Sequence, residues 1–202
     1  MSIKQQWIVK TVVTVAVLGG ILLAVSPLLE RHYYQNAELQ LWRDCYTKAA
    51  KRLETATEDH QRFYPLTELA TSALYLGFTN EARAYAQRLL AMTPQFQDSW
   101  NYGNAVHDGN EVLGRIAVQE GRLDDAKRFL IEAGMTPGSP QLDSFGPDMG
   151  LAQDLLEKGE RETVLEYLKL CRRFWKHRGD LLDQWSQAIK AGKTPDLQDK
   201  YP

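Results

Sequence analysis

Residues 113–133, LGRIAVQEGRLDDAKRFLIEA, restrict this chain more than any other stretch. Leu113, Ile116 and Ala117 recur at i, i+3 and i+4, one apolar stripe of a helix. Gly121 follows, a residue that enters the left-handed region with little steric cost and so closes a helix. Asp124 and Asp125 fall in the first turn of a second helix, where its dipole favours negative charge. Ala126, Phe129, Leu130 and Ala133 make the second stripe. Gly114, Ala117 and Ala126 are small, and two helices nest closely only where side chains are short. The stretch therefore predicts two short antiparallel helices hinged at Gly121.

Weaker copies lie on both sides. Leu66, Leu69, Ala70, Ala73 and Leu74 line a first helix, Gly77 ends it, and Ala82, Ala86, Leu89 and Leu90 line a second, with Pro94 closing the unit. Further on, Met149, Ala152, Leu155 and Leu156 precede Gly159, and Val164, Leu165, Leu168 and Cys171 follow it. Leu-Gly, a small residue three on, a turn glycine and then alanine five later is a pattern that resembles the tetratricopeptide repeat. The flanking copies depart from it, with Leu69-Ala70 in place of Leu-Gly and Val164 in place of alanine. The turn glycines are 44 and 38 residues apart, against about 34 in a regular array of that family, so extra residues must sit in longer helices or loops.

The resemblance covers residues 62–176 and implies an all-α, TPR-like α-α solenoid of about three helix pairs. Leu181, Leu182, Trp185 and Ile189 then predict a last helix able to cap the stack. In that family the first helix of each pair lines a concave surface that holds peptide ligands. By register the resemblance places Tyr64, Thr67, Thr71 and Tyr75 there from the first pair, Asp108, Glu111, Arg115 and Gln119 from the second, and Gln153 and Glu157 from the third. This set mixes tyrosine with both charge signs, as a polypeptide segment would require. It lacks the Lys/Arg cluster of a clamp for a C-terminal carboxylate.

Upstream, residues 11–29 carry no charge, and as a helix they would be roughly 28 Å long, about the thickness of a bilayer's hydrocarbon core. Trp7 at one end and Tyr33 and Tyr34 at the other sit where interfacial aromatics belong. The expectation is an uncleaved transmembrane anchor, because Pro27 would follow the cut that Ala24 and Ser26 offer to a signal peptidase. Lys4 and Lys10 precede the span, which places residues 1–10 in the cytoplasm and the remainder on the extracytoplasmic side of a cell membrane. The layout looks like that of bacterial single-pass proteins presenting such repeats. Residues 30–61 form a juxtamembrane segment in which Leu39, Trp42, Tyr46, Ala49, Leu53 and Ala56 predict an amphipathic helix across 36–57. The helical domain follows at 62–191, and 192–202 reads as a loose tail. Residues 58–62 read as a polar break, with Pro65 near a helix start.

Lys4 and Lys10 are two of the 24 basic residues, whereas all 26 acidic residues follow position 29. The part beyond the apolar segment is thus net negative, and nucleic acid is not an expected partner. Two stretches between the repeats concentrate polar or turn chemistry. Residues 97–120 predict a long helix with possible breaks at Gly103 and Gly109, and it carries Asn104, His107, Asp108 and Glu111. Residues 134–147, GMTPGSPQLDSFGP, predict a long loop of the kind that is often functional. His107 and Glu111 at i, i+4 supply at most two metal ligands, short of the three or four a zinc site needs, so neither a metal nor another cofactor is expected. Cys45 and Cys171 both fall on apolar stripes and read as free thiols. The basic run from Arg172 to Arg178 reads as a solvated helix end. The expectation for function is a membrane-tethered module that binds a protein or peptide and is not an enzyme. Its rivals are an enzyme or metal-dependent protein built on His107, Asp108 and Glu111, and a structural subunit of a membrane complex.

Overall fold

The computed structural model describes residues 36–198, so the expected anchor at 11–29 lies outside the described residues. Among the described residues no helix is long and apolar enough to cross a membrane. The chain divides into two compact units, Met1–Leu41 and Trp42–Pro202. In the first, residues 36–41 are helical. The second is all-helical among its described residues, with no strand.

This second unit opens with helix α1, residues 42–54. Two helices follow, α2 (Asp59–Tyr75) and α3 (Thr79–Met92), then α4 (Tyr102–Gln119) and α5 (Leu123–Gly134). A short helix α6 (Pro140–Phe145) precedes α7 (Gly150–Glu157), α8 (Arg161–Cys171) and α9 (Gly179–Lys190). Helices α2/α3, α4/α5 and α7/α8 pack as successive pairs, the first helix of each also meeting the first helix of the next. The packing is solenoid-like.

Each pair turns in the same way. Gly77, Gly121 and Gly159 have φ of 77°, 73° and 88°. In each turn the glycine N–H and the one after it reach back to the preceding helix: Gly77 to Leu74 O and Phe78 to Ala73 O, Gly121 to Val118 O and Arg122 to Ala117 O, Gly159 to Leu156 O and Glu160 to Leu155 O. This paired closure satisfies two carbonyls that the helix end leaves open. Helix α9 ends identically at Gly192, with Gly192 N–H on Ile189 O and Lys193 N–H on Ala188 O, so it closes as the first helix of a further pair would. Ala82, Ala126 and Val164, five residues after the first three turn glycines, are fully buried. Leu181, Leu182, Trp185 and Ile189 of α9 are buried against α8 and its neighbours, the expected covering of the stack end.

Several expectations need correction. Residues 59–62 do not break the chain but form the first turn of α2, and Pro65 lies inside that helix, buried. The Gln61 side chain fastens the entry by accepting the Thr57 N–H at 2.9 Å. Helix α4 starts at Tyr102 and runs unbroken through Gly103, Gly109 and Gly114. These glycines are contact points. A Cβ on Gly109 would lie 2.8 Å from Leu90 of α3, one on Gly114 2.1 Å from Leu151 of α7, and one on Gly103 1.8 Å from the Gly138 carbonyl oxygen.

The 134–147 stretch is a structured bridge. Gly134 belongs to α5, and Ser139 caps α6 by accepting the Leu142 N–H at 3.0 Å. The Thr136 hydroxyl donates to Gly103 O at 2.7 Å. Nor is the tail loose through its described part. Leu197 is fully buried, its N–H donates to Gln153 Oε1 at 2.9 Å, and Arg161 holds the Lys193 carbonyl at 2.6 Å. Helix α1 packs, as its apolar stripe predicts: Ala49 is buried, Tyr46 meets Phe78 and Tyr85 edge to face, and its hydroxyl donates to Glu81.

Candidate functional site

Helix α2 carries Tyr64, Thr67, Thr71 and Tyr75 at spacings of 3 and 4 on one side, and all four are half-buried. The face opposite this side supplies Leu66, Leu69, Ala70 and Ala73 to the core. At one end the Tyr64 ring stacks on Trp100 with centroids 5.7 Å apart, and its hydroxyl lies 3.4 Å from Ser99 Oγ. Trp100 itself is 56% exposed. At the other end Tyr75 lies between two flat groups. The Trp42 ring stacks on it at 4.3 Å and 4°, and the Arg115 guanidinium sits over it at 5.1 Å. The favourable face of an aromatic ring toward a cation fixes this order of layers.

A polar cluster joins α2, α4 and α7 beneath Tyr75. The Tyr75 hydroxyl donates to Asp148 Oδ2 at 3.2 Å, Arg115 Nε donates to Asp154 Oδ2 at 3.2 Å, and Asp148 Oδ1 accepts the Gly150 N–H at 2.8 Å. Burial, aided by the Asp148 charge, pushes the Tyr75 phenol up to about 12. Glu111 is almost sealed, 4% exposed, and its Oε1 accepts the Leu151 N–H at 2.6 Å in the first turn of α7. A carboxyl group there is favoured by the helix dipole. Burial nevertheless drives Glu111 well above the ordinary carboxylate range, with repulsion from Asp148 adding to it, while the Leu151 N–H and Arg115 oppose the shift. Asp154 is likewise raised by burial against the pull of Arg115.

His107 sits elsewhere on α4 and is fully buried. Its Nδ1 lies 2.9 Å from Asp108 Oδ1 and its Nε2 2.9 Å from the Tyr167 hydroxyl of α8. The tautomer with Nδ1–H toward the carboxylate leaves Nε2 to accept the Tyr167 O–H, so both ring nitrogens are occupied. Among the described residues no group of three or more His, Cys, Asp or Glu is arranged to hold a metal ion.

The residues expected on one concave face thus divide. Tyr75, Glu111 and Arg115 meet in one cluster, with Asp108 one turn away and 29% exposed. His107 is sealed and acts as an internal tie, whereas Glu111, also buried, ties Leu151 N–H through Oε1 and leaves Oε2 without a partner. Asn104 is taken up by the bridge, accepting from Ser139 Oγ at 2.5 Å and donating to Gln141 Oε1 at 3.2 Å. Gln153 bonds Glu157 at 2.8 Å and also holds the tail, while Gln119 is exposed at the far end of α4.

Four participants were not assigned from the sequence: Trp42, Trp100, Asp148 and Asp154. Asp148 and Asp154 carry a usable signal, since a lone Arg115 on the inner register requires carboxylates opposite it. Cys45 and Cys171 are free thiols, the second fully buried. In the basic run Arg172 pairs with Asp183, and the Lys176 N–H donates to Asp143 at 3.1 Å.

The raised Glu111 carboxyl has a consequence for stability. In the unfolded chain it loses its proton near the ordinary value of 4.5, but in the fold only at higher pH. Glu111 therefore favours folding fully below that value, and its contribution is lost as pH rises through the folded pKa, by at most about 1.4 kcal/mol per pH unit. Glu111→Gln keeps an acceptor for Leu151 N–H. It should be more stable than the parent in urea melts at pH 8, with the gap closing toward pH 4. A gap that widens toward pH 4 would refute the assignment.

No family model matches the chain, and no curated protein or solved structure matches it.

Proposed function

We propose that this chain is a membrane-tethered binding module of tetratricopeptide-like architecture. It captures an extended or helical polypeptide segment along the inner side of α2 and α4, and residues 11–29 anchor it in the membrane. The observation that carries the reading is the row Tyr64, Thr67, Thr71 and Tyr75, flanked by Trp42 and Trp100, with Arg115 over Tyr75 and Asp148 on its hydroxyl. The half-buried Thr71 and the exposed Trp100 offer a hydroxyl and an aromatic face, and the Arg115 and Asp148 pair adds both charges, the mixture a peptide backbone and its side chains engage. The bridge at 135–149 ties α4 and reaches the Tyr75 end of α2 through Asp148, and the tail at 191–198 holds α7, so the proposed groove centres on α2 between Tyr64 and Thr71. A tether raises the local concentration of such a module near clients at the same membrane.

A photo-crosslinking residue at Thr71 tests the reading in intact membranes, with the same residue at exposed Arg88 of α3 as control. A discrete partner adduct from position 71 and none from 88 is the expected result. Equal labelling from both positions, or none from 71, would remove the groove.

A further inference from the structure

Carboxyl groups outnumber cations in the Tyr75 cluster. Glu111, Asp148 and Asp154 act on one another there, and Arg115 is the guanidinium that acts on all three. The Nε of Arg115 is committed to Asp154 and its plane to the Tyr75 ring. Asp148 spends one oxygen on Gly150 N–H and the other on the Tyr75 hydroxyl. Glu111 spends Oε1 on Leu151 N–H, but its buried Oε2 has no hydrogen-bond partner. A buried carboxyl oxygen without a donor is costly, and a cation that reaches it supplies both donor and charge. The cluster is approachable, since the Asp154 side chain is 33% and the Arg115 side chain 20% exposed.

We propose that Glu111, Asp148 and Asp154 form the seat for a basic side chain, an ammonium or guanidinium presented by the polypeptide segment that lies along α2 and α4. The proposal rests on the groove reading above and names the chemistry of what the groove selects. Charge complementarity carries it: three carboxyl groups act on one guanidinium whose Nε and face are already committed.

Burial and the Asp148 charge raise the Glu111 carboxyl, so it keeps a proton to higher pH than a free carboxylate does. The groups acting on this carboxyl are Tyr75 from α2, Arg115 from its own helix, Asp148 from the bridge, Asp154 from α7 and Tyr167 from α8. A ligand cation replaces that proton, which leaves to solvent. Capture therefore strengthens as pH rises, by at most about tenfold per pH unit for the one proton exchanged.

The test probes the full-length chain with an array of random 12-residue peptides. Retained peptides should share a Lys or Arg, and replacing it by citrulline or norleucine should weaken binding at least tenfold. Asp148→Asn should weaken the same peptides by a similar factor, with helical circular dichroism checking that the fold persists. For the native chain, affinity should rise between pH 5 and 8, and Glu111→Gln should flatten that rise. The citrulline exchange alters only the peptide and keeps the test independent of how the variants fold. Retained peptides with no basic preference, or citrulline tolerated without loss, overturn the cation seat and leave the groove standing. If no peptide is retained, both fall.

Discussion

His107→Ala should lower the unfolding free energy by about 3–5 kcal/mol, the largest single-residue effect expected in the second unit. The imidazole is fully buried and its two nitrogens tie Asp108 on its own helix to Tyr167 on α8. Alanine leaves a cavity and also strips a buried phenol of its nearest partner. His107→Phe fills the volume without either hydrogen bond and should cost less, about 1–3 kcal/mol, because the Tyr167 O–H can turn to the Asp148 carbonyl 3.4 Å away. Urea melts at fixed m-value measure both. A double-mutant cycle with Tyr167→Phe isolates the bond itself, and zero coupling between the two positions would show that the imidazole and the phenol do not support each other. The same variants bear on the enzymatic rival, because a His107→Ala chain that loses its fold says nothing about proton transfer. Only a variant that keeps its helical signal and its peptide capture while losing a turnover would speak for catalysis.

Gly103→Ala should come next, at about 3 kcal/mol, and its effect should be uneven along the chain. A Cβ at this position would stand 1.8 Å from the Gly138 oxygen and 2.4 Å from its carbonyl carbon, backbone atoms that cannot rotate away. The contact is fastened on both sides. Thr136 donates its hydroxyl to Gly103 O, and Gly138 N–H returns to the same hydroxyl at 3.2 Å. The gain in helix propensity from glycine to alanine, about 1 kcal/mol, offsets part of the cost. Hydrogen exchange should show lost protection at 136–147 with α3 little changed, and any change in α2 should centre on Tyr75, the residue whose hydroxyl Asp148 accepts. Gly77→Ala provides the contrast. Nothing lies within 4 Å of its Cβ position, so its cost is the left-handed φ alone, about 1–2 kcal/mol. A Gly103→Ala chain that melts like the parent and keeps the bridge protected would refute the interlock.

The comparison between these glycines shows what a sequence makes legible. Gly77, Gly121 and Gly159 announce themselves, because a left-handed residue at a helix end is a local requirement that the neighbouring apolar stripes reveal. Gly114 reads as a point of close nesting between α4 and α5, but the side chain that approaches it is Leu151 of α7. Gly103 and Gly109 are the same residue in the same helix, yet they read as possible breaks. Their reason lies in Gly138 and Leu90, on other elements. The inner row divides in the same way. Spacing puts Tyr64, Thr67, Thr71 and Tyr75 on one side of α2, and they stand there. The repeat register implied by the resemblance also puts Glu111 and Gln153 on the inner side, and spacing puts Asn104 on the face of Glu111, but the bridge, the α7 entry and the tail each claim one of them.

The sequence by itself therefore determined the helices, three of the four glycine closures, the pairing of neighbours and the covering of the stack end by α9. All of these follow from periodicity and backbone sterics within about a dozen residues. Only the tertiary structure decided which polar groups are sealed, which remain open, and that three carboxyl groups converge on one arginine. Burial and hydrogen-bond partnership depend on atoms brought together from distant parts of the chain, and no local rule of spacing encodes where Asp148 meets Tyr75.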